Sequence, residues 1–437
     1  MGVNSTADTP RLRYADREQG EMLMESLDQL LPPEHRVRNV WQFVETLDLS
    51  ALRAEIRAVA GHAGAPAIDP RILVALWLQA TCDGVGSSRR LAELCEYHLA
   101  YRWICGGVGV NYHTLSDFRT QHSQVLEDLL KQSIAVLMHE NLIDLKRVAQ
   151  DGMRIRAAAG ASSFRRPESL KKCLDIAREQ VETLARQQDE DTGAASRREQ
   201  AARERAARER VERLTAAQDE LKKLQEANAE QPPCRRKKDD ELRVSTTDPE
   251  CRKMKMPDGG YRPAFNVQFA TTTVGGAIVG VDVTNEGTDS RQLPPMLDQI
   301  EEHSGVRPQE ALIDGGFVTV ESIDRAERSG TKVYAPPRDE DKQLKSGGNP
   351  YERKASDTDA TAQWRERMGT AEAKTIYKER ASTAELTNAH ARNRGLYGAT
   401  VRGRPKVLTV VLWYALAHNF ARLFALREQA RAAVMVK

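Results

Sequence analysis

Residues 165–231 read as helix from end to end, and that stretch constrains how everything around it can be arranged. Leu170, Leu174, Ala177, Val181 and Leu184 recur at spacings of four, three, four and three, and Leu214, Ala217, Leu221 and Leu224 at three, four and three. These are two short a/d seams, the apolar stripes that one helix turns toward another. The next seam position is the polar Asn228, so the second seam ends there. Between the seams the chain is rich in Arg, Glu and Ala, with Gly193 as a possible break. An antiparallel helical hairpin is the economical reading, and one continuous coiled coil is the alternative. Pro232-Pro233 stops the helix, and the basic cluster Arg235-Arg236-Lys237-Lys238 follows. On both sides of this insertion the pattern is that of strands, so any sheet here is split in sequence by a helical excursion.

Upstream, residues 1–145 read as mostly helical. Pro70 opens a run of Ile72, Leu73, Leu76, Trp77 and Ala80 at helical spacing. Gly84 and Gly86 break it, Ser87 and Ser88 cap the next helix, and Thr114 and Ser116 precede a long amphipathic helix through Phe118, Leu126, Leu129, Leu130, Ile134 and Leu137. Short helices, tight turns and the basic Arg89, Arg90 and Arg119 fit a helix-turn-helix-like DNA-binding module, with a plain helical bundle as the simpler reading. A strand-like run from Leu145 and Val148 ends at Asp151-Gly152.

Downstream of the insertion the pattern is α/β. Phe265, Val267 and Phe269 alternate with polar residues, as in a half-buried strand, and Gly275-Gly276 makes a hairpin-like turn. The apolar run Ala277 to Val283 suits a central strand. A helix over Leu293 to Ile300, a strand over Ala311 to Ile313, a helix over Val320 to Arg328 and a strand over Lys332 to Ala335 follow. A polar linker from Arg338 to Asp359 leads into helices that continue to the end.

The chain has 437 residues, room for about three domains at ~150 residues each. Charged residues make up 29% and hydrophobics 40%, which excludes a disordered, a collagen-like or a small disulfide-rich chain. The six cysteines are scattered without a CxxC pair, so neither a zinc site nor a disulfide framework is expected. Met1 to Gln19 lacks an apolar signal core, and Gly2 with Thr6 matches the short myristoylation pattern only as chance would. The most apolar stretch, Val407 to Ala417, is too short for a membrane span of roughly 20 residues and reads as a core helix. The balance of 65 Lys and Arg against 63 Asp and Glu gives a net charge of +2. That total argues against nucleic acid only if the charge is evenly spread. From Lys374 to Lys437, twelve Lys and Arg stand against three Glu, a local excess of +9.

Asp151-Gly152 and Asp314-Gly315 each place a carboxylate after a strand-like run and before a glycine. Such a carboxylate is held rigidly, and the glycine lets a metal and a phosphate approach the backbone. Two of these and a third acid can hold a pair of divalent ions roughly 4 Å apart, with Mg²⁺ favoured by oxygen ligands and Mn²⁺ able to substitute. Glu385 supplies the third acid. It is expected to begin a helical segment with Asn388 and Arg392 on its face, among Arg380, Arg392, Arg394, Arg402, Arg404 and Lys406. A lone carboxylate in that basic company suits a metal-bound phosphodiester site.

These residues, with Thr114-Leu115-Ser116-Asp117-Phe118-Arg119, Thr247-Asp248-Pro249-Glu250, Asp289-Ser290-Arg291-Gln292-Leu293, Asp314-Gly315-Gly316-Phe317 and Ala415-Leu416-Ala417-His418-Asn419, form an ordered set. In that set the chain resembles a DDE transposase of a bacterial insertion sequence, of the eleven-eighty-two group and its Tyr-Arg-Glu-Lys relatives. The resemblance implies a helical amino-terminal DNA-binding domain over 1–145 and a ribonuclease H-like catalytic domain over 146–164 and 232–437, interrupted by the 165–231 insertion. It implies Asp151, Asp314 and Glu385 as metal ligands, with Tyr377, Arg380 and Arg392 positioning DNA phosphates. It further implies hydrolysis at the element ends followed by 3′-hydroxyl attack on target DNA, a homodimer pairing two ends, and a cytoplasmic, nucleoid-associated protein with no membrane partner. The alternatives are a transposase-derived DNA-binding protein that has lost catalysis and a coiled-coil scaffold.

The sequence departs from the family at three points. Arg392 stands where a Lys is usual, four residues rather than three separate Arg380 from Glu385, and the second Asp stands in Ile-Asp-Gly-Gly-Phe. Asp282 is a further candidate as a structural or accessory acid, Asp248 and Asp289 are expected to cap turns, and His418 is expected to be a satisfied core histidine.

Overall fold

The computed structural model describes residues 24–58, 66–187 and 194–435. The amino-terminal residues Gly2 and Thr6 and the hairpin break at Gly193 lie outside the described residues.

The first 140 residues are helical where described. Polar side chains set the helix starts. The Asp69 carboxylate accepts the Arg71 N–H at 2.9 Å ahead of Pro70–Cys82, and Ser87 Oγ accepts the Arg90 N–H at 3.3 Å ahead of Ser88–Tyr97. The long amphipathic helix expected after Ser116 is in fact two helices, Tyr112–Gln121 and Ser123–His139. The cap of the first is Asn111, which accepts the Thr114 N–H at 2.9 Å, so Thr114 and Ser116 lie inside the helix. The break falls at His122, whose φ of −113° and ψ of 48° are not helical.

Among the described residues, eight strands follow: β1 (Arg147–Arg156), β2 (Phe164–Arg165), β3 (Val244–Ser245), β4 (Arg252–Lys255), β5 (Tyr261–Thr272), β6 (Ile278–Thr284), β7 (Glu310–Ile313) and β8 (Lys332–Tyr334). The main sheet runs β4-β5-β1-β7-β8, and β6 also pairs with β5. β1, β7 and β8 are mutually parallel, whereas β5 is antiparallel to β1, β4 and β6. The parallel β7 and β8 are joined through the helix Val320–Arg328, the usual connection for such a pair, and β5 turns into β6 at Gly275 and Gly276. Both glycines take the left-handed φ that such a turn needs, +77° and +67°.

Two expectations about strands are corrected. β1 does not end at Asp151. β5 pairs with it in unbroken register out to Arg156, so the ladder carries Asp151 in mid-strand opposite Phe269. β5 is not half-buried either. Its polar face, with Asn266 and Gln268, is fully buried because the loop after β6 folds over it and Asp289 accepts from both amides, at 2.8 and 2.7 Å. The segment after Arg338 also contains a helix, Glu340–Lys345, within the expected polar linker.

The insertion forms two helices, Pro167–Gln187 and Ala194–Ala229, that double back on each other. Leu170, Leu174, Ala177, Leu214, Ala217 and Leu221 are buried in a small apolar core shared with Leu242 and Val244. Asn228 ends the seam as a clasp, donating to the Lys237 carbonyl at 2.8 Å and accepting the Lys237 N–H at 2.9 Å. The short β2–β3 ladder pins the entry and exit of the hairpin together.

The last helix, Arg404–Met435, is long and apolar enough to cross a membrane, but 78% of its most apolar window is buried within the protein. It shares one hydrophobic core with the sheet and the amino-terminal helices. Asn419 fastens it to β6, accepting the Ile278 N–H at 2.8 Å and donating to the Ile278 carbonyl at 2.9 Å. His418 is buried against the Gly276 carbonyl at 2.8 Å, as expected of a core histidine, and burial pushes its pKa down to about 4.

Candidate active site

Strand register brings the first two acids together. Gln150 of β1 lies beside Ile313 of β7, so Asp151 and Asp314, each one residue further on, follow at neighbouring positions of two parallel strands. Asp314 ends β7 and opens a 3-10 turn over Gly315–Phe317, as the sequence suggested. Gly152 is required by a close approach on the other face of the sheet. A Cβ there would fall 2.6 Å from Gln268 Nε2 and 2.8 Å from Asp289 Cγ, and closer still to Asp289 Oδ1. Asp289 therefore does more than cap a turn: it braces β1 behind Asp151. The sequence offered a weak signal for this in the polar Asn266 and Gln268 alternating along a strand.

Glu385 stands at the head of the helix Leu386–Asn393 that carries Asn388 and Arg392, as expected. It closes a π-helical turn over Ala381–Glu385, set between a helix over Ala371–Tyr377 and another over Leu386–Asn393. This turn accounts for the extra residue between Arg380 and Glu385. In an α-helix, residues five apart point in different directions, whereas in a π-turn they sit one above the other. Arg380 and Glu385 consequently meet at 3.0 Å.

Arg380 also reaches Asp151 Oδ2, at 3.8 Å, and lies over the Tyr377 ring at 5.9 Å. Its side chain is only 14% exposed. Asn388, three residues past Glu385 and buried, donates to Asp151 Oδ2 at 3.0 Å, leaving its own Oδ1 buried without a partner. Burial pushes the Asp151 carboxyl up to about 6. The Arg380 charge and the Gly152 N–H oppose that rise, and the nearby Asp289 and Asp314 add to it. Burial also raises the Tyr377 hydroxyl.

The other basic candidates do not crowd Glu385. Arg392 is exposed, and Arg394 lies at the end of its helix, where its carbonyl accepts from the Tyr414 hydroxyl at 2.9 Å. Arg402 lies in the loop before the last helix, and Arg404 and Lys406 in that helix's first turn. That loop is held through its backbone, with the Gly403 N–H on Asp248 at 3.2 Å and the Arg404 N–H on Glu250 at 2.8 Å. Asp248 is thus a structural acid, fully buried and pushed up to about 6 by that burial. Asp282 accepts the Val283 N–H at 2.7 Å.

Among the described residues, no three His, Cys, Asp or Glu side chains converge closely enough to hold a metal, and Arg380 bridges Asp151 and Glu385. The donor set nevertheless suits a hard divalent cation. It consists of carboxylate oxygens, and the unpartnered buried Oδ1 of Asn388 lies beside Asp151.

Two family profiles match the chain. A transposase domain, DUF772, matches residues 25–121, and a transposase DDE domain matches residues 240–419, a span that includes Asp314 and Glu385. No curated protein and no solved structure matches it. With the two profiles covering well over half of its residues in the expected order, the chain belongs to the insertion-sequence DDE transposases.

Proposed function

We propose that this transposase cuts and rejoins DNA through a divalent-metal site formed by Asp151, Asp314 and Glu385. The observation that carries the reading is the juxtaposition of Asp151 and Asp314 at adjacent parallel strands, with the π-turn bringing Glu385 to them through Arg380. A strand order of β6-β5-β1-β7-β8, in which β5 runs opposite to the other four, supports a ribonuclease H-like catalytic domain over 146–164 and 232–437.

The three carboxylates would hold Mg²⁺, with Mn²⁺ as a substitute. When bound, the metal lowers the pKa of the attacking water or 3′-hydroxyl and offsets charge on the scissile phosphate. Arg380 offsets the charge of Asp151 and Glu385, and its guanidinium would bind a phosphate oxygen there. The Tyr377 ring packs beside its guanidinium. Asn388 holds Asp151 in one orientation. Arg392, Arg394, Arg402, Arg404 and Lys406 contact the DNA backbone, and the 1–145 helices read the element end. Two copies pair two ends.

The test is Glu385→Gln in a cleavage assay on the element ends with Mg²⁺. Strand cleavage is expected to vanish while end binding persists. Cleavage at the unmodified rate would overturn the assignment.

A further inference from the structure

Next to Asp314, a cleft of about 690 Å³ is lined by Arg235, Arg291, Arg338, Gly315 and Gly316. We infer that this cleft binds the backbone of the DNA that extends beyond the scissile phosphate, outside the element end. The inference rests on the proposed cleavage site and adds a second DNA contact to it.

Three observations carry it. First, the guanidiniums of Arg235, Arg291 and Arg338 are exposed, and no ion pair or side-chain hydrogen bond holds any of them among the described residues. Arginines lining a cleft without partners are suited to phosphate, which they bind in a bidentate fashion. The one carboxylate in the lining, Glu286, is engaged by the Gln292 amide at 3.2 Å. Arg236, next to Arg235 in the basic cluster that follows the insertion, is instead consumed on the Ala229 and Gln231 carbonyls. Of the two neighbours, only Arg235 is left to serve the cleft.

Second, the backbone is strained at one of these arginines. Three non-glycine residues among those described have positive φ, and one of them, Arg291 at +75°, lines this cleft. Such conformations cost of order 1–3 kcal/mol and persist where the surroundings impose them, often at ligand clamps. Here the strained residue is itself one of the arginines that line the cleft.

Third, the floor beside Asp314 is bare without a packing reason. Gly315 and Gly316 do not have positive φ, and a Cβ on either would meet nothing closer than 3.5 Å. The absent side chains leave backbone open to a phosphate next to a carboxylate of the cleavage site.

The other basic residues, Arg392 to Lys406, lie on elements packed toward the amino-terminal helices. A Cβ on Gly84 would touch the Arg394 backbone, and Arg119 donates to Thr400 at 3.0 Å. The cleft lining contains no residue of those elements, so DNA whose element end is held there would reach the cleft with its flank.

The experiment measures binding in EDTA, without chemistry, by the full chain and by R235Q/R291Q/R338Q. One duplex carries the inverted repeat bordering the coding sequence and ends at the scissile phosphate; the other continues into adjacent genomic DNA. With about 0.9 unit of log–log salt slope per phosphate contact, the variant should lose about 2.7 units of slope on the extended duplex. Between 50 and 200 mM salt, the unmodified protein should then lose about 40-fold more affinity than the variant. On the blunt-ended repeat the two proteins should bind alike, which also reports that the variant is folded. Equal binding of both proteins to the extended duplex, or an equal loss on both duplexes, overturns the cleft assignment while leaving the Glu385 result untouched. Failure of the unmodified protein to bind either duplex overturns both readings.

Discussion

Replacing the buried Asp151 by Asn should stabilise the metal-free protein while abolishing its cleavage. Burial raises the Asp151 carboxyl from an ordinary value near 3.8 to about 6 even with Arg380 beside it. At 1.36 kcal/mol per pKa unit, keeping this carboxylate charged in the folded chain above pH 6 costs about 3 kcal/mol relative to the unfolded chain. Asn removes the charge and can still accept from the Asn388 amide. The gain must depend on pH with a definite sign. Because the folded pKa is raised, the folded chain keeps a proton that the unfolded chain gives up between about pH 4 and pH 6, so this group's contribution to stability falls as pH rises through that window. D151N lacks the fall. Its advantage should be near zero at pH 4 and reach about 3 kcal/mol above pH 6, then disappear when Mg²⁺ is added to saturation, because only the unmodified protein binds it through this carboxylate. Urea denaturation in EDTA at a series of pH values measures this. A D151N protein that is less stable at pH 8, or whose advantage is the same at every pH, would refute the argument from desolvation.

Arg380→Ala should raise the Asp151 carboxyl further and move the acid limb of cleavage to higher pH, while Arg380→Lys keeps most of the original profile; the pH dependence of cleavage by each variant decides this. Gly152→Ala should destabilise by about 3 kcal/mol, because its Cβ collides with Gln268 and Asp289 inside a sheet that cannot yield. Asp289→Ala in the same chain should restore at least about 1 kcal/mol, a coupling that denaturation of the two single variants and the double variant measures. Leu214→Ala, in the small core of the hairpin, should cost about 2–4 kcal/mol. That loss should appear as protease sensitivity confined to 165–231, with the sheet resistant.

Much of the chain was legible because the determinants are local. The helix over Val320–Arg328 and the Gly275-Gly276 turn follow from apolar spacing and from glycines that accept positive φ, both properties of a few adjacent residues. The errors fall where a distant partner intervenes. Asp151 reads as the end of a strand because Gly152 looks like a terminator, yet β5 pairs straight past it. β5 reads as half-buried because its polar residues alternate, yet those residues are the floor on which Asp289 sits. The family departure of one extra residue before Glu385 looks like a loss of register and is instead absorbed by a π-turn.

By itself, the sequence determined the kinds of elements, the interruption of the strands by a helical insertion, and the candidate acids and basic carboxyl-terminal segment on which the resemblance to a DDE transposase rests. Apolar period, capping chemistry and residue type act over a few residues, so they are written along the chain. Tertiary structure alone decided that Asp151 and Asp314 stand side by side, that Arg380 bridges Asp151 and Glu385, and that Arg235, Arg291 and Arg338 share one cleft beside Asp314. These groups lie tens to hundreds of residues apart. Their meeting depends on strand order and on loops closed against the entropy of the chain, for which no local pattern in the sequence stands.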